Sequence, residues 1–143
     1  MQSLSPDYIG ELGRQLATLS AFLGGCAAAY LATLLGADRS SRVVGAAAAA
    51  AAVAAGAFIV AVVAATLVVM AAHPNAPATL TGGGQATMAR AVAALAFGVG
   101  IYALLASLGL SGWVRSRRLG LLTSTVAGLA GLLIAAVTVS LGA

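Results

Sequence analysis

Four long apolar stretches without a formal charge run along the chain, separated by short polar clusters. They cover residues 15–35, 43–72, 91–114 and 119–142. Each exceeds the roughly 20 residues that a helix rising ~1.5 Å per residue needs to cross a bilayer's hydrocarbon. Lipid offers backbone N–H and C=O groups no partners, and the stretches lack the strict alternation of barrel strands, so the pattern predicts α-helices. The expected fold is all-α: a polytopic integral membrane protein, a compact bundle of four transmembrane helices forming one domain over residues 1–143.

Punctuation agrees with these boundaries. Ser5, Pro6 and Asp7 read as a helix start, with a cap, a proline at the first helical position and an acid at the positive dipole end. His73, Pro74, Asn75 and Pro77 stop the second helix, and Gly82, Gly83 and Gly84 follow in the same loop. Trp113 closes the third span as an interfacial anchor. The second span opens on seven consecutive alanines, Ala46 to Ala52. Alanine favours helix but barely drives insertion, so this end is expected to face protein, while Phe58, Ile59, Val60, Val63 and Leu67 supply the hydrophobicity.

Composition sharpens the picture. Of 143 residues, 62% are hydrophobic and 7% charged. A soluble domain of this size leaves too much surface to hide such a composition from water. The first charges are Asp7 and Glu11, unlike the basic start of a cleavable signal. Arginines set the expected orientation: Arg39 and Arg42 follow the first span, and Arg115, Arg117 and Arg118 follow the third, against Arg14 and Arg90 on the other side. The positive-inside bias then places those two basic loops in the cytoplasm and both termini outside a cell (inner) membrane. The loops resemble one another, Arg39-Ser40-Ser41-Arg42-Val43-Val44-Gly45 against Arg115-Ser116-Arg117-Arg118-Leu119-Gly120. The likeness implies either two parallel helical hairpins or basic loops imposed by topology.

Small residues recur every four positions. The first span carries Ser20, Gly24, Ala28, Ala32 and Gly36 beside Ala17, Ala21, Gly25 and Ala29. The fourth carries Gly120, Ser124 and Gly128 beside Ala127, Gly131 and Ala135. Such rows let helix backbones approach closely in lipid, within one chain or between copies. Ser20, Gly24, Ala28 and Gly128 are the candidate packing positions.

Catalytic chemistry is not legible. One histidine, one cysteine and three acids make no usual zinc site, and no acid lies within a span to relay protons. His73 reads as a wet loop residue and Cys26 as a small packing residue. No cofactor, nucleic acid or enzymatic reaction is implied. Polar groups within the spans are the remaining candidates: Tyr102, Ser107, Thr66 and Ser124 either line a polar path or bond between helices and back to their own carbonyls. Arg90 is expected to reach the interface by snorkelling.

No motif is shared with a known family, and the four-span layout with a tryptophan closing the third helix invites comparison with Orai-type calcium channels only in layout. The acidic selectivity residue of those channels has no counterpart in Ala29-Tyr30-Leu31-Ala32-Thr33-Leu34-Leu35, and the expected orientation is opposite. Small multidrug exporters differ likewise, through their intramembrane glutamate. The sequence favours a homo-oligomeric passive channel or pore, because polar residues within the spans are not otherwise required. The alternative is an accessory or scaffold subunit of a larger membrane complex. The partners implied are the lipid bilayer and either further copies or other membrane subunits.

Overall fold

The computed structural model describes residues 6–36, 41–73, 75–77 and 84–142. They form four long helices: α1 (Pro6–Gly36), α2 (Arg42–Ala72), α3 (Gln85–Arg115) and α4 (Arg117–Gly142). All four are long and apolar enough to cross a membrane. Pro6 is the first residue of α1, where its missing N–H costs no hydrogen bond. Ser5, Arg39, Pro74, Gly82 and Gly83 lie outside the described residues. α3 starts at Gln85, six residues before the uncharged stretch, because helical continuity tolerates an arginine that a charge-free window excludes.

Two serines fix the starts of α2 and α4. Ser41 Oγ accepts from the Val43 N–H at 3.3 Å, and Ser116 Oγ accepts from the Leu119 N–H at 3.2 Å. Both are N-caps that satisfy amides with no intrahelical partner. Ser116 is the sole residue between α3 and α4. The likeness of the two loops thus includes a shared Ser-Arg-x-x-Gly element, with the cap at Ser41 or Ser116 and an arginine immediately after it. Gly84, ahead of α3, has φ 78°, a left-handed conformation suited to glycine.

Contacts group the chain into two units, one of Met1–Cys26 with Ala55–Val99 and one of Ala27–Ala54 with Gly100–Ala143. In the first unit α1 and α2 run antiparallel. A β-carbon at Gly10 would stand 3.9 Å from Ala72 Cβ, one at Gly13 2.8 Å from Val69 Cγ2, and one at Gly24 3.2 Å from Phe58 Cβ. Phe58 is buried and meets Phe97 edge-on, with ring centroids 6.1 Å apart at 67°. Ala64, Ala65 and Ala93 form a buried cluster with Leu16 and Ala17 against it.

The second unit has its own apolar cluster, Leu34, Ala47, Ala48 and Ala51, flanked by Tyr30, Leu31 and Leu110. Its α3–α4 hairpin is tighter. A β-carbon at Gly112 would meet Thr123 Oγ1, the Leu119 carbonyl at 2.7 Å and Gly120 Cα at 3.0 Å. One at Gly120 would lie 2.6 Å from the Trp113 ring. Only glycine permits this approach of the two backbones.

Burial along α2 is inverted relative to a soluble helix. Ala47, Ala48, Ala51, Ala54, Ala61 and Ala65 are buried, while Val53, Ile59, Val60, Val63, Leu67 and Met70 are exposed. The alanine run itself divides, since Ala46, Ala49 and Ala52 are exposed. Only one face of that run therefore meets protein.

The packed face of α1 departs from the expected rows. Gly13, Ser20, Ala27 and Leu34 are buried and Ala17, Gly24 and Leu31 half-buried, an alternation of threes and fours. A strict step of four turns about 40° further around the helix at each repeat. Ala28, Ala32 and Gly36 therefore rotate out and are exposed. On α4, a β-carbon at Gly128 would meet nothing within 4 Å of the same chain, whereas one at Gly131 would stand 3.4 Å from Tyr102 Cε1.

Candidate functional site: polar groups within the helices

Among the four hydroxyls singled out, the structure brings Tyr102 and Ser124 to one place. Both lie on the walls of a groove of about 630 Å³ between α3 and α4 in the second unit, among Leu105, Gly109, Ala127 and Gly131. Tyr102 donates its phenol proton to the Gly131 carbonyl at 3.2 Å. Its partner is thus a backbone oxygen of α4 rather than Thr66, Ser107 or another side-chain hydroxyl. Ser124 accepts from Trp113 Nε1 at 3.0 Å and donates to the Gly109 carbonyl at 3.2 Å. Thr123 Oγ1 reaches that same carbonyl at 3.1 Å, and its own Leu119 carbonyl at 3.0 Å.

Ser107 is buried apart from the groove lining and donates to the Ala47 carbonyl of α2 at 2.7 Å. Thr66 belongs to the first unit and bonds back to the Val62 carbonyl of its own helix at 2.8 Å. Thr18, Thr33, Ser111 and Thr125 do the same on their own helices. Such bonds satisfy a hydroxyl locally and place no demand on a neighbouring helix. Ser20 differs from all of these. It is buried, and its hydroxyl has no partner.

The interhelical acceptors share a property. Ala47, Gly109 and Gly131 are small residues, and a side chain from the next helix reaches a carbonyl where no bulk stands in the way. Trp113 therefore does more than mark an end: its ring covers Gly120 and its N–H holds Ser124. Sequence reasoning missed this contact and the Gly112 crossing. The available signal was the pairing of hydroxyls on one helix with glycines on the next.

The charged groups divide between the units. Arg42, Arg117 and Arg118 are exposed at the starts of α2 and α4, in the second unit. Each occupies a helix N-terminus, where the dipole disfavours a cation, so helix stability does not explain them. Arg115 ends α3, and Arg39 lies outside the described residues. In the first unit Arg14 pairs with Glu11 at 3.0 Å, and Gln15 donates to the same carboxylate at 3.3 Å. His73 is exposed, and its Nδ1 accepts from the Asn75 N–H at 3.2 Å, closing the turn after α2. Among the described residues no three His, Cys, Asp or Glu side chains gather as metal ligands do.

No protein-family model, curated protein or solved structure matches the chain.

Proposed function

With no relative to lend a function, we propose that the chain is a multi-pass membrane protein acting through helix packing, as an accessory or scaffold subunit without chemistry of its own. The carrying observation is a set of uncovered small residues. Gly25, Gly45 and Gly56 lie on α1 and α2 with open space where a β-carbon would stand, and Ala28, Ala49 and Ala52 are exposed on the same two helices. α4 presents chiefly Leu122, Val126, Leu129, Leu133 and Val137, side chains that lipid solvates well, with Gly128 open among them. Close helix association in a bilayer draws on small residues, because lipid provides no hydrophobic drive between helices. The inverted burial of α2 supports the bilayer environment, since in water its exposed valines and leucines would form a large apolar patch.

A homo-oligomeric passive channel is the second reading. It is favoured by the groove that Tyr102 and Ser124 share, but both hydroxyls already bond within the chain. The ground for a polar path is thereby reduced, and the subunit reading leads.

Purified full-length chain in liposomes tests both. On the subunit reading it resists alkaline extraction and stays silent in planar-bilayer recordings across voltages. A conductance lowered by Tyr102→Phe and Ser124→Ala would establish the channel instead. Orientation is read by placing single cysteines at Asn75 and Ser40 in a Cys26→Ala background. An impermeant thiol reagent on intact cells should label Asn75→Cys and spare Ser40→Cys.

A further inference from the structure

A second, smaller groove lies in the first unit. It holds about 210 Å³ between α1, α2 and α3, with Leu12, Leu16, Ala65, Val68 and Ala94 among its apolar walls and Arg90 on its lining. At ~30 Å³ per water-sized group this is room for about seven such groups, a segment of hydrocarbon chain. Arg90 is exposed and, among the described residues, has no carboxylate partner, whereas Arg14 is answered by Glu11. An unpaired guanidinium beside an apolar slot is complementary to an amphiphile with an anionic head.

The depth of Arg90 fits the same ligand. α3 spans Gln85–Arg115, so Gly100 is its midpoint and Arg90 lies ten residues, about 15 Å, from it. Half of a ~30 Å hydrocarbon layer is the same distance, which puts the guanidinium at the level where lipid phosphates begin. Arg117 and Arg118 stand in the first turn of α4, outside the groove linings of the second unit.

We propose that this groove is a binding site for one anionic phospholipid, with its phosphate on Arg90 and part of an acyl chain against Leu12, Leu16 and Val68. The site rests on the membrane reading above. It differs from diffuse snorkelling in being saturable and in depending on the slot as well as the charge.

Native mass spectrometry of the full chain in mixed micelles tests it, with phosphatidylglycerol and phosphatidylcholine of identical chains as probes. One phosphatidylglycerol should be retained about tenfold more strongly than phosphatidylcholine, the scale of one charge-assisted contact. Arg90→Gln should abolish that preference and Arg118→Gln should keep it. Ala94→Leu, which fills the slot from an exposed position, should lower retention of both lipids. Equal retention by the unaltered chain, or an unchanged preference in Arg90→Gln, overturns the site. Displacement by excess inorganic phosphate also overturns it, in favour of a free-anion site. Should Arg90→Gln lose its helical signal, Ala94→Leu decides: an unchanged lipid count overturns the proposal. Loss of the chain to the supernatant on alkaline washing of vesicles contradicts the membrane reading itself. Firm insertion without lipid preference contradicts only the lipid site.

Discussion

The two units hold their helices together differently. In the first, packing dominates: Gly24 seats against Phe58, Phe58 against Phe97, and alanines of α2 and α3 close over Leu16 and Ala17. In the second, apolar packing is joined by hydroxyl-to-carbonyl bonds, from Ser107 to Ala47, from Tyr102 to Gly131, and from Ser124 to Gly109. Both units contain a buried serine, yet Ser107 is bonded and Ser20 is not. Small residues serve both arrangements for different ends. In the first unit they bring carbon to carbon, and in the second they also uncover a carbonyl that a side chain can reach.

The largest effect that separates the units is expected at Gly112. Its β-carbon would collide with backbone atoms of α4, so Gly112→Ala cannot be absorbed by a rotamer change and should destabilise the hairpin by about 3 kcal/mol. SDS-induced unfolding of purified protein measures it, and a loss under ~1 kcal/mol would mean that the hairpin opens freely. Next is Gly24→Leu in the first unit, where contact with Phe58 at 3.2 Å predicts a loss of about 2 kcal/mol. Gly25→Leu, one residue on and facing open space, should leave stability unchanged. Equal losses at both positions would show that α1 packs on a different face. Ala54→Leu on α2 should also destabilise, because Ala54 is fully buried.

Hydrogen-bond deletions come lower. Ser107→Ala should cost about 1 kcal/mol, leaving the Ala47 carbonyl with its helical partner but without the second donor. Tyr102→Phe should cost about 0.5 kcal/mol, because the phenol is partly exposed and its bond is longer, at 3.2 Å. The reverse ranking would place the stronger interhelical bond on the groove and raise the standing of a polar path there.

Much of this was legible in the sequence. Charge clusters, Pro6 and the His73-to-Pro77 punctuation mark four helices, because the bilayer's thickness ties apolar length to span. The small-residue rows identify which residue types pack, but their strict period of four runs off the face buried within the chain, where Ala28 and Gly128 are exposed. Two helices that stay in contact follow an alternation of threes and fours, which Gly13, Ala17, Ser20, Gly24, Ala27, Leu31 and Leu34 obey. The hydroxyl partners were legible only as a pairing of hydroxyls on one helix with glycines on the next, for another reason. Backbone carbonyls carry no residue type, and only the approach of two helices at Gly109 or Gly131 decides which one gains a second donor.

The contrast between the units is tested most directly at Ser20, by SDS unfolding of Ser20→Ala beside Ser107→Ala in the same detergent. A hydroxyl matters to this fold where it reaches a carbonyl of a neighbouring helix. Ser20→Ala removes a buried group without a partner, so its stability should match or exceed that of the unaltered chain, while Ser107→Ala loses about 1 kcal/mol. A loss at Ser20 equal to or larger than that at Ser107 would contradict the distinction, and would assign the first unit a hydrogen bond that apolar packing does not supply.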